Sequence, residues 1–285
     1  MSEPAQPHVQ ISKLVKRYGE RTVLHGVDLN IGRAETLVVI GGSGAGKSTL
    51  VRHLIALERP TSGRILIDGT DVAALDDVAL AKARRRFGMV FQKYALFDSM
   101  TVFDNVAFPL REQTKLSEAE IRERAMTKLQ ELGVDHAARL TPAQISGGMA
   151  KRVGIARALV MQPELLIYDE PTSGLDPVTS RTVDDLIEEM RERFGVTSVV
   201  ITHDMVSAFD IADRIAMLIK GRIVAEGGPL EVLASDNEDV QRFIRSSGVE
   251  ASRLEQRKGR TPAEQLAARA LELKRARDDE ERKKR

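Results

Sequence analysis

Apolar residues along this chain fall into short alternations and short runs, and the period changes several times. Val27, Leu29 and Ile31 alternate with polar neighbours, which predicts a half-buried strand. Residues 36–40 form a short apolar run that ends in glycines, as a strand buried on both faces does. A helix is expected from residue 47 to about 57. Ile65 and Ile67 alternate and then meet Asp68-Gly69, a hairpin-turn signal. Residues 87–91 read as a further strand.

The middle of the chain shifts to the helical period. Ser117 and Glu120 have the spacing of a capping box. Ile121, Ala125, Leu129 and Leu132 then share one face, and Gly133 closes the helix. A second helix is expected from about Gly148 to about Met161. After Pro163 the strand–helix alternation returns. Residues 165–168 are a buried strand, and Asp176-Pro177 is an N-cap followed by proline at the first helical position. Val183, Leu186, Ile187 and Met190 line that helix. Residues 199–202 are the next strand. Residues 215–219 and 222–225 flank Lys220-Gly221 as a hairpin.

Strands alternating with helices imply an α/β fold with a mainly parallel sheet. The early antiparallel strands and a helical insert, about residues 93–162, are additions to it. Apolar residues make up 42% of the 285 residues, enough for a full core. Cysteine is absent, which excludes disulfides and thiolate metal sites. No apolar run approaches the length of a membrane span, so any membrane role needs a partner. Residues 1–10 lack a basic segment followed by an apolar one, and no secretory signal is expected. The net charge of +1 gives no support for nucleic-acid binding. Residues 251–285 carry +5 of that charge, leaving the body at −4. This tail, with helix expected from about Pro262, reads as a charged extension. A subunit contact or a site for acidic lipid heads is the alternative.

Residues 41–48 read Gly41, Gly42, Ser43, Gly44, Ala45, Gly46, Lys47, Ser48 and match G-x-x-x-x-G-K-[ST]. Glycines let successive N–H groups converge on one anion, and the helix that follows adds its positive end. Lys47 can reach the β- and γ-phosphates, and Ser48 offers a hydroxyl to Mg²⁺. The loop alone leaves other P-loop NTPases open. Downstream, Asp169 and Glu170 end an apolar strand, where open α/β sheets bind ligands. Asp169 is suited to hold Mg²⁺ through water, and Glu170 to accept a proton from an attacking water or orient it.

Further along the chain, Ile145-Ser146-Gly147-Gly148-Met149 resembles the LSGGQ signature of ABC (ATP-binding cassette) ATPases. Gln92 resembles the Q-loop glutamine, Ser173-Gly174-Leu175-Asp176 the D-loop, and His203 the switch histidine. Tyr18 is similar to the aromatic that stacks on adenine. These elements occur in family order over roughly residues 8–248.

The resemblance implies a P-loop NTPase cassette: residues 8–92 and 163–248 form a catalytic core with an antiparallel β subdomain. Residues 93–162 form a helical subdomain with the signature, and 249–285 a charged helical tail. It further implies ATP hydrolysis with Mg²⁺ held by Ser48, Gln92 and Asp169. Lys47, Gln92, Glu170 and His203 are then catalytic, and Tyr18 with residues 41 to 49, Thr49 included, bind nucleotide. Ser146, Gly147, Gly148 and Met149 face the ATP of a second copy, with Asp176 alongside.

Met149 stands where the common signature has glutamine. With Ala150-Lys151-Arg152, and with the stretches 91–111 and 201–214, it is similar to Mla-type ATPases of phospholipid transport. That similarity implies a second copy, an Mla-type integral membrane permease, an MCE-domain lipid-binding protein and a STAS-domain protein as partners. It also implies a place on the cytoplasmic side of the inner membrane. Leu96, Phe97, Val102, Phe103 and Phe108 would receive a helix of the permease, or form the core of the insert itself. The alternatives are an ABC importer ATPase for amino acids or another small solute, and a soluble ABC protein acting on nucleic acid.

Overall fold

The computed structural model describes residues 7–91 and 94–247. The chain runs β1 (Val9–Tyr18), β2 (Arg21–Ile31), β3 (Thr36–Ile40), α1 (Lys47–Leu54), β4 (Ser62–Ile67), β5 (Thr70–Asp71), α2 (Asp77–Arg84) and β6 (Phe87–Val90). Then come α3 (Val102–Gln113), α4 (Glu118–Glu131), α5 (Gly147–Leu159), β7 (Leu165–Asp169), α6 (Pro177–Phe194), β8 (Thr197–Thr202) and α7 (Met205–Ile211). It closes with β9 (Arg214–Ile219), β10 (Arg222–Gly227), α8 (Pro229–Leu233) and α9 (Glu238–Ser247).

Two sheets form among the described residues. One is antiparallel, in the order β2-β1-β4-β5. The other has the order β10-β9-β3-β8-β7-β6 and is parallel from β9 to β6, with β10 antiparallel at one edge. Strict alternation divides the parallel strands between two cores. Val38, Ile40, Leu166, Tyr168 and Val200 join the core that includes α3 to α7. Leu37, Val39, Leu165, Ile167 and Val199 join the core that includes the antiparallel sheet and α1. Burial on both faces is why these segments read as continuous apolar runs.

The expected turns form for the reason their residues suggest. Asp68 (φ 48°) with Gly69 (φ 78°), and Lys220 (φ 46°) with Gly221 (φ 75°), place two successive left-handed residues at hairpin tips, the twist-matched geometry. A Cβ on Gly221 would sit 2.1 Å from Val23 O, so this tip also needs glycine for close approach. The Ser117–Glu120 capping box is present, and Ile121, Ala125, Leu129 and Leu132 are buried as one face.

Some expectations need correction. Helix α1 stops at Leu54 instead of about residue 57, because Ala56 adopts φ 54° and turns the chain away. Helices α2, α3, α7, α8 and α9 carried no assignment from the pattern. Helix α3 holds an internal proline, Pro109, which weakened its helical signal, while Thr101 caps its start through Asp104 N–H (3.0 Å). The apolar set of the insert divides. Val102 is fully buried in its own core, whereas Phe97 is 41% exposed and packs on Phe108 with ring centroids 4.9 Å apart. The expectations for Gln92 and for the 249–285 tail fall outside the described residues.

Candidate functional site

The parallel register builds the site. Ile40 of β3 is level with Thr202 of β8, and Ile201 of β8 is level with Asp169 of β7. The residues that follow these ends, Gly41, His203 and Glu170, therefore leave the same edge of the sheet side by side. Above that edge lies a cleft of about 1030 Å³ lined by the phosphate loop, Asp169, Glu170, His203 and Tyr18.

The loop needs its glycines for two different reasons. Gly44 (φ 74°) and Gly46 (φ 108°) are left-handed, which lets the backbone curl. A Cβ on Gly41 would meet Leu218 O at 2.2 Å, so the loop could not lie against β9. Gly46 caps α1 with no side chain, leaving the positive end of this eight-residue helix open toward the cleft. Ser43, Gly44 and Ser48 are exposed along it, while Ala45, Gly46 and Thr49 are buried. Lys47 Nζ donates to Gly41 O (2.7 Å) and Gly42 O (3.2 Å) and lies 3.7 Å from Glu170 Oε1.

Burial pushes the Asp169 carboxyl up, the adjacent Glu170 adds to this, and Lys47 and Arg52 pull the other way without cancelling it. Such a group gains from a nearby cation. With the Ser48 hydroxyl lining the same cleft, the donor set is hard oxygen, as Mg²⁺ requires. Glu170 is held at φ 50°, its N–H bonded to Ile201 O at 2.8 Å, so the backbone turns sharply at the strand end. Its Oε2 lies 2.6 Å from His203 Nδ1.

Tyr18 stands at the end of β1 on the cleft, 42% exposed. Its hydroxyl bonds to Glu58, and Lys16 Nζ lies 5.0 Å from the ring centroid. The other two tyrosines are elsewhere: Tyr168 is fully buried in the core and Tyr94 packs against α5.

The signature is not in this cleft. Ser146 caps α5, its Oγ accepting from Met149 N–H at 3.2 Å, and a Cβ at Gly147 or Gly148 would meet nothing within 4 Å. Asp176 caps α6 by accepting from Val178 and Thr179 N–H, both at 3.0 Å. One chain thus carries two helix starts suited to anions, at different places.

A family model described as ABC transporter matches residues 24–173, more than half of the chain. This chain belongs to the ABC transporter family. It is an ATP-binding and ATP-hydrolysing cassette that uses Mg²⁺ with its nucleotide, and the members of this family pair with one another and with a membrane permease. The chain is 44% identical over 240 residues to "Methionine import ATP-binding protein MetN" of Cupriavidus pinatubonensis, covering 83% of this chain and 70% of that protein. It is 42% identical over 234 residues to "Probable ribonucleotide transport ATP-binding protein mkl" of Mycobacterium leprae, covering 82% and 67%. A further methionine import relative, MetN 1 of Shouchella clausii, is 44% identical over 79% of this chain and 65% of its own length. The chain thus spans about two thirds of the length of these relatives.

Among solved structures, the dimeric ATP-binding cassette MJ0796 in a post-hydrolysis state with ADP and Pi aligns with a TM-score of 0.68. It is 35% identical over 78% of this chain and 98% of that one. The cassette cbiO1 of Clostridium perfringens, part of the ABC transporter complex cbiONQ, aligns with a TM-score of 0.75. It is 33% identical over 87% and 97%.

Within this ABC cassette the cleft has further wall residues that no motif signalled, Arg21 and Val23 from β2 and Phe243 from α9, and Ser173 of the D-loop motif lines it as well. Phe243 lies more than 190 residues from the phosphate loop, and only folding brings the two together. No helix among the described residues is long and apolar enough to cross a membrane.

Proposed function

We propose that this chain is the ATP-driven motor of a membrane transporter, working as a pair of copies, each contributing half of both ATP sites. The observation that carries this reading is the separation of Ser146 from Lys47. Lys47 lines the cleft with Glu170 and His203, while Ser146, an exposed helix start of the same anion-binding type, does not. A second copy would bring its Ser146, Gly147, Gly148 and Met149 onto the open cleft, with Asp176 beside them.

In this reading residues 41 to 49 cradle the triphosphate, Lys47 leaves its loop carbonyls for the β- and γ-phosphates, and Tyr18 stacks on adenine. Glu170 takes a proton from the attacking water or orients it, and His203 holds the γ-phosphate or that water. Ser48, Asp169 and Gln92 hold Mg²⁺, which neutralises charge on the transferring phosphoryl group when bound. Residues 8–92 and 163–248 act as the core, 93–162 as the helical unit that moves against it, and 249–285 as the charged tail. Closure excludes water from the site, and hydrolysis reopens it. The pair sits on the cytoplasmic side of the membrane, with the exposed Phe97, packed on the half-buried Phe108, receiving a helix of the permease.

The test is crosslinking. Cysteines at Ser146 and Ser43 should join two copies in the presence of ATP under conditions that prevent hydrolysis. Crosslinks that form equally well without nucleotide, or never form, would overturn the shared site.

For cargo, the better-supported reading is import of methionine or another small solute, since relatives at 44% identity carry that name. One relative at 42% is named for ribonucleotide transport, so cassettes this similar go with different cargo names. Phospholipid transport is the second reading. It rests on Met149 and Ala150-Lys151-Arg152 in the signature helix and on the stretches 91–111 and 201–214. Purifying the native complex separates them. A periplasmic solute-binding protein supports the importer, and an MCE-domain or STAS-domain protein with bound phospholipid supports the other.

A further inference from the structure

Tyr18 lines the nucleotide cleft, and Lys16, Arg52 and Glu58 do not. Glu58 nevertheless gathers all of them around that ring. Its carboxylate accepts from the Tyr18 hydroxyl and from Arg52 Nη1 (3.2 Å), and its Oε2 lies 3.3 Å from Lys16 Nζ. Lys16 Nζ also donates to Arg59 O at 2.9 Å and sits over the Tyr18 ring, 5.0 Å from the centroid. One face of the ring is thus covered by a held cation, and a base can stack only on the other. The side chains of Lys16 and Glu58 are 15% and 21% exposed, so this ion pair is shielded from the solvent that weakens surface pairs.

The chain after α1 is folded in a way that puts Glu58 there. Ala56 adopts φ 54°, and the N–H groups of Leu57 and Glu58 both return to Arg52 O, at 2.8 and 3.1 Å. Glu58 is therefore tied to Arg52 through backbone and side chain alike. Arg52 lies on α1, the helix that opens at Lys47 of the phosphate loop. The segment then runs along the end of β1: Thr61 N–H donates to Val15 O (2.8 Å), and Arg17 N–H to Thr61 Oγ1 (3.0 Å). These bonds hold the strand end without the Glu58 side chain. What the carboxylate adds is the placement of two side chains, Tyr18 and Lys16, relative to α1.

We propose that Glu58 is a positioning residue for ATP. It fixes the Tyr18 ring, with the Lys16 ammonium on its covered face, at one reach from the phosphate loop, so that base and triphosphate meet a single preformed spacing. A ring ordered before ATP arrives loses little side-chain freedom on binding, which favours affinity and leaves the chemical step untouched. The inference rests on the reading of Tyr18 as the surface on which adenine stacks.

The test compares ATP with inorganic tripolyphosphate, which has the phosphates and no base, in steady-state hydrolysis by the full chain with Mg²⁺. Glu58→Ala should raise KM for ATP about 5-fold with kcat within about twofold, while the inhibition constant of tripolyphosphate also stays within about twofold. Glu58→Gln keeps an acceptor for the Tyr18 hydroxyl but loses the charge that holds Lys16 and Arg52, and should raise KM about 3-fold. In a Tyr18→Ala background, Glu58→Ala should add less than about twofold, the mark of two residues acting through one contact. A tripolyphosphate constant that weakens in step with KM would show a general distortion of the phosphate loop and overturn the proposal. So would Glu58→Ala at the wild-type KM, or losses that multiply with Tyr18→Ala. Should Glu58→Ala not fold, Glu58→Gln and Tyr18→Ala close the same cycle on the same criteria. If Tyr18→Ala leaves KM unchanged, the stacking reading itself fails. If it raises KM and Glu58→Ala does not, the role of Glu58 alone fails.

Discussion

Glu170 Oε2 and His203 Nδ1 lie 2.6 Å apart although 33 residues separate them in the chain. They meet because β7 and β8 are parallel neighbours in register, and both residues follow the strand ends. The left-handed backbone of Glu170 aims its carboxylate across β8 as well as toward Lys47, 3.7 Å from Oε1. The pair shares one edge of the nucleotide cleft.

Glu170→Gln keeps the shape and removes the base. Turnover measured by phosphate release should fall by about 100-fold or more. With ATP present the variant should elute as a dimer on size exclusion, since binding is kept and opening is not. Turnover within twofold of wild type would show that another group activates the water.

Ser146→Trp should abolish hydrolysis while ATP affinity of the separate chain, read by a fluorescent nucleotide, changes less than about threefold. The same change deletes the cap on Met149 N–H and should cost about 1 kcal/mol in a denaturation experiment. Lost binding in the separate chain would mean that Ser146 serves its own cleft.

Tyr18 offers a ring to the cleft and ties its hydroxyl to Glu58. Tyr18→Phe should hold the ATP Kd within about threefold, and Tyr18→Ala should raise it about 10-fold, the scale of one stacking contact. Equal effects from the two changes would assign the role to the hydroxyl instead of the ring.

Asp68 sits in the β4–β5 turn among His8, Arg33 and Arg86. Burial alone would push its carboxyl up, but hydrogen bonds from His8 and Arg86 and the charge of Arg33 outweigh this and hold it below 3.8. A depressed carboxylate stabilises the fold above its unfolded value and loses that contribution as pH falls through its folded value. Asp68→Asn, which tolerates the same left-handed backbone, should cost about 1–2 kcal/mol at pH 7. The gap from wild type in thermal unfolding should close as pH falls below 3.8. A gap unchanged at pH 3 would show that charge is not the cause. His8, Asp68 and Glu164 also approach one another closely enough to suggest a cation site, but Arg33 and Arg86 already neutralise the carboxylates.

Local patterns carried much of the architecture. Residues 37–40 and 165–168 form buried strands because every position there is apolar or aromatic and each face meets a core. The tips at Asp68-Gly69 and Lys220-Gly221, the cap at Ser117 and the Asp176-Pro177 helix start depend on neighbours within a few residues, so the chain writes them out directly. The phosphate loop belongs to the same class, since its anion-binding ability comes from eight consecutive residues.

Other features have no local cause. Helix α3 survives its proline because Val102, Val106 and Leu110 pack on α4 and α5, and tertiary burial outweighs the missing hydrogen bond. Phe243 joins the cleft only because α9 folds back onto the core. The contact between Glu170 and His203 follows from strand order, and the hydrogen bond from Ser207 to Asp184 from how α6 and α7 pack. Periodicity tells which face of an element is apolar; which other element covers that face is decided only when the whole core closes.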